Sequence, residues 1–123
     1  MNSATKVYDV KERTYLYALE MMKFLEMLPK DYVAQTIGKQ LLRSATSVGA
    51  NVIEAKSASS KKDFANFYSH SLKSANESKF WLGLLQDSGK VASETVRPLL
   101  DETSELSNIL ASSLLTMKGR RRF

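Results

Sequence analysis

Apolar positions along this chain recur at alternating steps of three and four residues, in four blocks separated by short interruptions. That spacing is one face of an α-helix turning by about 100° per residue. The most informative block is Gln40 to Ala55, where Leu41, Ala45, Val48, Val52 and Ala55 share one side and Arg43, Ser47, Ala50, Asn51 and Glu54 fall nearly opposite. Its apolar side alternates large and small residues, and Ser44, Gly49 and Ala50 add places where another backbone can come close. Upstream, Lys11 to Leu28 carries two adjoining stripes, Tyr17, Met21, Phe24, Leu28 and Tyr15, Ala18, Met22, Leu25. An arc that wide predicts contact with two helices or with another subunit.

The interruptions set the boundaries. Pro29 pushes the residue before it away from helical geometry, and Asp31 is suited to cap the next start. Helix two then runs from Tyr32, with Val33 and Ile37 extending its apolar face. Glycine costs about 1 kcal/mol inside a helix, so Gly38 and Gly49 need reasons: close packing for Gly49, a bend or a broken first turn for Gly38. Ser60-Lys61-Lys62-Asp63 has the form of a capping box, and Gly89 suits a left-handed C-terminal cap. Between them Phe64, Phe67, Tyr68, Ser71, Leu72, Ala75, Leu82 and Leu85 share one broad side, with His70 and Trp81 on a flank. Helix four starts between Ser93 and Arg97, a boundary blurred by Pro98. It repeats Leu99, Thr103, Leu106, Leu110, Ser113 and Met117. The expected helices are 11–28, 32–56, 61–87 and 95–117, with a loose lead-in over 1–8 and a frayed basic tail over 118–123. Short turns make successive helices antiparallel, so the pattern predicts an all-α, single-domain, up-down-up-down four-helix bundle spanning 1–123.

Composition changes this picture little. Hydrophobic residues are 43% and charged ones 25%, the balance of a chain that folds. The absence of cysteine removes disulfides and thiolate chemistry and fits a reducing compartment, so cytoplasm is the expected location. No apolar run approaches the ~20 residues of a membrane span, and no membrane association is expected. The formal charge of +5 is mostly a tail: Lys118, Arg120, Arg121 and Arg122 supply four of the 18 basic side chains, leaving 14 against 13 carboxylates. Within the body the segment Lys30 to Lys62 is basic and Glu94 to Leu110 is acidic.

Candidate chemistry is sparse. With one histidine, no cysteine and no Glu-x-x-His, no metal site is expected, and His70 reads as a structural residue. No nucleophile elbow or phosphate loop is present, so no catalytic residues and no cofactor are expected. The polar side of helix two has two readings. In one, Arg43 pairs with Glu54 or Glu77 and Asn51 caps a neighbouring backbone group, making Arg43, Ser47, Asn51, Glu54 and Glu77 a structural polar motif. In the other, Arg43, Lys39, Lys56, Lys61 and Lys62 face a nucleic-acid backbone, with Lys61 and Lys62 aided by a helix N-terminus. Lys73 and the tail residues Arg120, Arg121 and Arg122 would add charge to that surface without sequence preference. Phe80 has two readings, stacking beside Lys73 on a nucleic acid or, as is commoner for an exposed aromatic next to a tryptophan such as Trp81, a protein interface.

Gln40-Leu-Leu-Arg-Ser-Ala-Thr-Ser-Val-Gly-Ala-Asn-x-x-Glu-Ala55, with Ser60-Lys-Lys-Asp-Phe64 and Ala75-Asn-Glu-Ser-Lys-Phe-Trp-Leu82, closely resembles the bacterial four-helix-bundle family that includes proteins encoded in 23S rRNA intervening sequences. The resemblance runs from about Tyr8 to Met117. It implies a left-handed up-and-down bundle and a ring-shaped homopentamer. In the related accessory variability determinant of diversity-generating retroelements, the ring is a basic barrel associated with nucleic acid and a reverse transcriptase. This chain departs from that relative in its nearly neutral body and acidic fourth helix. The expectation is a non-enzymatic oligomeric bundle binding RNA or DNA through phosphates; the alternative is a homo-oligomeric scaffold for a protein partner, without nucleic-acid binding.

Overall fold

The computed structural model describes the backbone of residues 9–121 and the side chains of residues 9–119. Four helices follow one another: α1 (Val10–Glu26), α2 (Tyr32–Ala55), α3 (Lys61–Asp87) and α4 (Ser93–Arg121). No strand occurs among the described residues. Each helix packs on its neighbours in the chain, α4 also returns to α1, and the two diagonal pairs make no close backbone approach. Contacts between neighbours run in opposite senses. Along α2 and α3, Ser44 meets Ser78 and Val48 meets Ser71; along α1 and α4, Tyr17 meets Thr103 while Phe24 lines a hollow with Thr95.

Helix starts are built by two expected side chains, Asp31 and Ser60, and by Asp9, which the sequence pattern does not single out. Asp9, Asp31 and Ser60 each accept a hydrogen bond from the amide three residues on, at 2.8, 2.9 and 3.0 Å. The Ala34 amide holds the Asp31 carboxyl below its ordinary range, and Lys90 Nζ at 3.2 Å adds to this. Asp63 reaches back to the Ser59 amide rather than to that of Ser60, so the capping box is displaced by one residue. Gly89 adopts φ of 79°, the left-handed cap.

Two boundaries differ from the sequence pattern. α1 stops at Glu26 because the amides that follow turn to i−3 carbonyls ahead of Pro29, although the Leu28 side chain still packs inside. α4 begins at Ser93 and continues to Arg121, so helical backbone covers the first part of the segment expected to fray. Pro98 sits inside α4, where its missing N–H leaves the Glu94 carbonyl without its helical donor.

The core is a column of Tyr17, Met21, Phe24, Leu41, Val48, Val52, Leu82, Leu85, Leu106 and Leu110, all buried. The four seams around it are not alike. On the α1–α2 seam both glycines face α1. A Cβ on Gly49 would stand 3.2 Å from Thr14 Oγ1, and one on Gly38 would stand 2.8 Å from Leu28 Cδ1. Gly38 is therefore a second close-approach position, not a bend. The α2–α3 seam is lined by serines: Ser44 Oγ and Ser78 Oγ lie 2.8 Å apart, Ser74 Oγ donates to Ser47 Oγ at 3.0 Å, and Ser71 Oγ donates to the Val48 carbonyl at 2.7 Å. Small side chains let the axes close up, and the hydroxyls satisfy one another or a helix carbonyl. The α1–α4 seam touches mainly near its middle, through Tyr17 and Thr103 and through Arg13 and Glu102, and opens into a groove beyond.

Candidate nucleic-acid interface

The polar side of α2 is half seam and half surface. Arg43 Nη2 lies 2.6 Å from Glu77 Oε2 and 3.0 Å from Gln40 Oε1, and Trp81 Nε1 donates to the same Glu77 oxygen at 2.9 Å. One carboxylate thus holds a guanidinium from α2 and an indole from its own helix. Asn51 Nδ2 donates to the carbonyl and hydroxyl of Ser47, one turn back on the same helix, and does not cap a neighbour. Glu54 is exposed and is not the partner of Arg43. The two most specific sequence motifs, Gln40 to Ala55 and Ala75 to Leu82, are therefore largely the two sides of one helix–helix seam.

The expected phosphate-binding residues divide. Arg43 is engaged with Glu77. Lys39 and Lys73 lie on the flanks of α2 and α3, away from the helix ends and from each other. Lys56, Lys61 and Lys62 come together, because α2 ends and α3 begins at the same end of the bundle. Lys56 and Lys61 frame a shallow hollow of about 310 Å³ with Ser59, Ser60 and Phe64. Antiparallel packing brings the end of α4 to this side too, since Phe64 and Tyr68 share a hollow with Ser113 and Met117. Lys118 follows there, and the helical backbone carries Arg120 and Arg121 onward from it. Arg122 lies outside the described residues. Lys11, in the first turn of α1, joins the same end; it escapes a reading of the sequence because nothing in one helix reveals which other helix ends lie beside it.

Asp9, Glu12, Glu54 and Asp63 share this end, so five lysines stand against four carboxylates. Asp9 and Asp63 are occupied with helix caps. The described side chains thus leave this end one positive charge in excess, and three arginines follow Lys118 in the sequence. Phe64 stacks on Tyr68 with centroids 4.6 Å apart, and burial raises the Tyr68 phenol above its ordinary pKa, with Asp9 adding to this. Elsewhere His70 is exposed, and no three His, Cys, Asp or Glu side chains are grouped to hold a metal among the described residues. No helix among them is long and apolar enough to cross a membrane.

The family described as 23S rRNA-intervening sequence protein matches residues 6–112 of the chain. The chain belongs to that family. A solved structure similar to this chain is a protein of unknown function from the S23 ribosomal protein family of Bacteroides thetaiotaomicron. The two are 35% identical with a TM-score of 0.78, over 86% of this chain and 98% of the other. No curated protein matches the chain. The bundle is thus shared with a solved relative, and that relative brings no assigned activity.

Proposed function

We propose that this protein is a non-enzymatic, cytoplasmic helical bundle that binds RNA or DNA through the phosphate backbone. The observation that carries the reading is the convergence of Lys11, Lys56, Lys61, Lys62 and Lys118 at one end of the bundle, from which the run Arg120, Arg121, Arg122 continues in the sequence. The start of α3 adds the positive end of a helix dipole to this surface. The lysines supply point charges and the arginines bidentate donors, a set that reads charge and not base identity. The test is binding to a structured ribosomal RNA fragment at low and at moderate salt. Affinity that falls steeply with salt supports the reading, and no binding at either salt overturns it.

A second reading rests on a different observation. Tyr15, Leu19 and Met22 of α1 are exposed, and by helical register they share one side with Leu42 and Ile53 of α2. A second set of exposed apolar side chains comprises Val33 of α2 and Leu84 and Phe80 of α3, Phe80 being 58% exposed and edge-on to Trp81 at 5.0 Å. Two unlike apolar faces on one protomer suit head-to-tail contacts, which close into a ring when the rotation permits. This supports a homo-oligomeric scaffold, the homopentamer implied by the family resemblance. Light scattering at micromolar concentration decides it, and a monomer removes it.

A further inference from the structure

We propose that the groove between α1 and α4 is a docking site for a basic amphipathic helix of a protein partner. The groove has a volume of about 750 Å³ and an apolar floor of Leu16, Tyr17, Phe24, Met27, Pro98 and Leu99. Between Arg13 and Met27 it follows α1 for roughly 21 Å, enough for about four turns of a docked helix. One end is closed by Arg13, whose guanidinium takes both oxygens of Glu102 at 2.7 and 2.9 Å. Toward the other end Met27 stands 78% exposed, an unbranched side chain that can shape itself to an apolar partner.

The rim decides what that partner is. Glu20 and Glu102 line the groove directly. Helical register adds exposed Glu94, Asp101 and Glu105, which flank Pro98 on the same side of α4. Against these five carboxylates stand Arg13 and Lys23 of the lining and exposed Arg97, one turn before Asp101, leaving the rim at −2 in a chain whose formal charge is +5. Such a rim repels a nucleic acid and an acidic helix alike. A helix with leucines on one side and lysines or arginines on the other meets both the floor and the rim. This surface is separate from the basic end, so the two can fail independently.

The test uses the full chain and a fluorescent peptide of roughly 18 residues, leucines at i, i+3, i+4 and i+7 and lysines opposite, at about 0.15 M salt. A second peptide carries glutamate in place of each lysine. The lysine peptide binds at least about tenfold more tightly than the glutamate peptide. Neutralising the rim with Glu94→Gln, Asp101→Asn and Glu105→Gln weakens it about tenfold, and so does replacing the floor with Leu16→Asn and Met27→Asn, circular dichroism being unchanged in both. Lys56→Gln, Lys61→Gln and Lys62→Gln leave it unaltered. Equal affinity for the two peptides overturns the proposal. So does indifference to the Leu16 and Met27 pair, which reduces the effect to charge attraction, or a drop in oligomeric mass in that pair, which makes the groove an interface between copies of this chain.

Discussion

Tyr17 donates its phenolic hydrogen to Thr103 Oγ1 at 2.7 Å, because the threonine hydroxyl directs its own hydrogen to the Leu99 carbonyl. Burial raises the Tyr17 pKa above its ordinary value. A group held protonated by the fold contributes stability that is complete below its unfolded pKa of about 10 and is lost as pH rises through the folded value. Thermal melts between about pH 7 and 11 should therefore show Tm falling only at the alkaline end, and Tyr17→Phe should flatten that fall while costing about 1 kcal/mol at neutral pH. Arg43 behaves otherwise. Its side chain is 62% exposed and that of Glu77 34%, so screening leaves the pair little net worth, and Arg43→Ala should cost under about 1 kcal/mol in denaturant melts. The glycines separate by surroundings: Gly83 has nothing within 4 Å of an added Cβ, whereas Gly49 has Thr14. Gly83→Ala should stabilise by about 0.5 to 1 kcal/mol through helix propensity, and Gly49→Ala should lose that gain and more by forcing α1 and α2 apart, both read from the same urea melts.

At the scale of elements, the α2–α3 seam is sensitive to added volume. Ser71 is fully buried and its hydroxyl reaches the Val48 carbonyl, so Ser71→Ala should cost about 1 kcal/mol and Ser71→Leu about 3 kcal/mol or more, compared by urea denaturation. All four helices are legible from periodicity, and their caps from Asp31, Ser60 and Gly89, because those signals act within one or two turns. The partnership of Arg43 with Glu77 is one of two readings open from sequence, since choosing between Glu54 and Glu77 needs the register between α2 and α3. Gly38 reads as a bend or a broken first turn from sequence because the residue it accommodates, Leu28, comes from outside its own helix. The groove between α1 and α4 leaves no trace in either helix alone: it is a gap between them, and its acidic rim joins residues far apart in the chain, as Arg13 and Glu102 show.

For the whole molecule, charge is sorted by direction more than by amount. Among the described residues five lysines gather at one end while Glu20, Glu94, Asp101, Glu102 and Glu105 line the α1–α4 flank, an asymmetry that the formal +5 hides. Replacing Arg120, Arg121 and Arg122 with glutamine should lower RNA affinity equally across unrelated sequences. It should also make the slope of log K against log salt shallower by about 0.9 for each phosphate no longer neutralised, measured by filter binding.

The serine seam has a consequence for how the bundle breathes. Its hydroxyls hold α2 and α3 at a distance that apolar side chains of ordinary size could not reach, and a short turn joins the two helices. This pair should be the unit that opens last. Amide deuteration should spare Ser44 to Val52 and Ser71 to Leu82 until global unfolding, while α1 and α4, joined by the loosest seam, exchange through partial openings that expose the groove first.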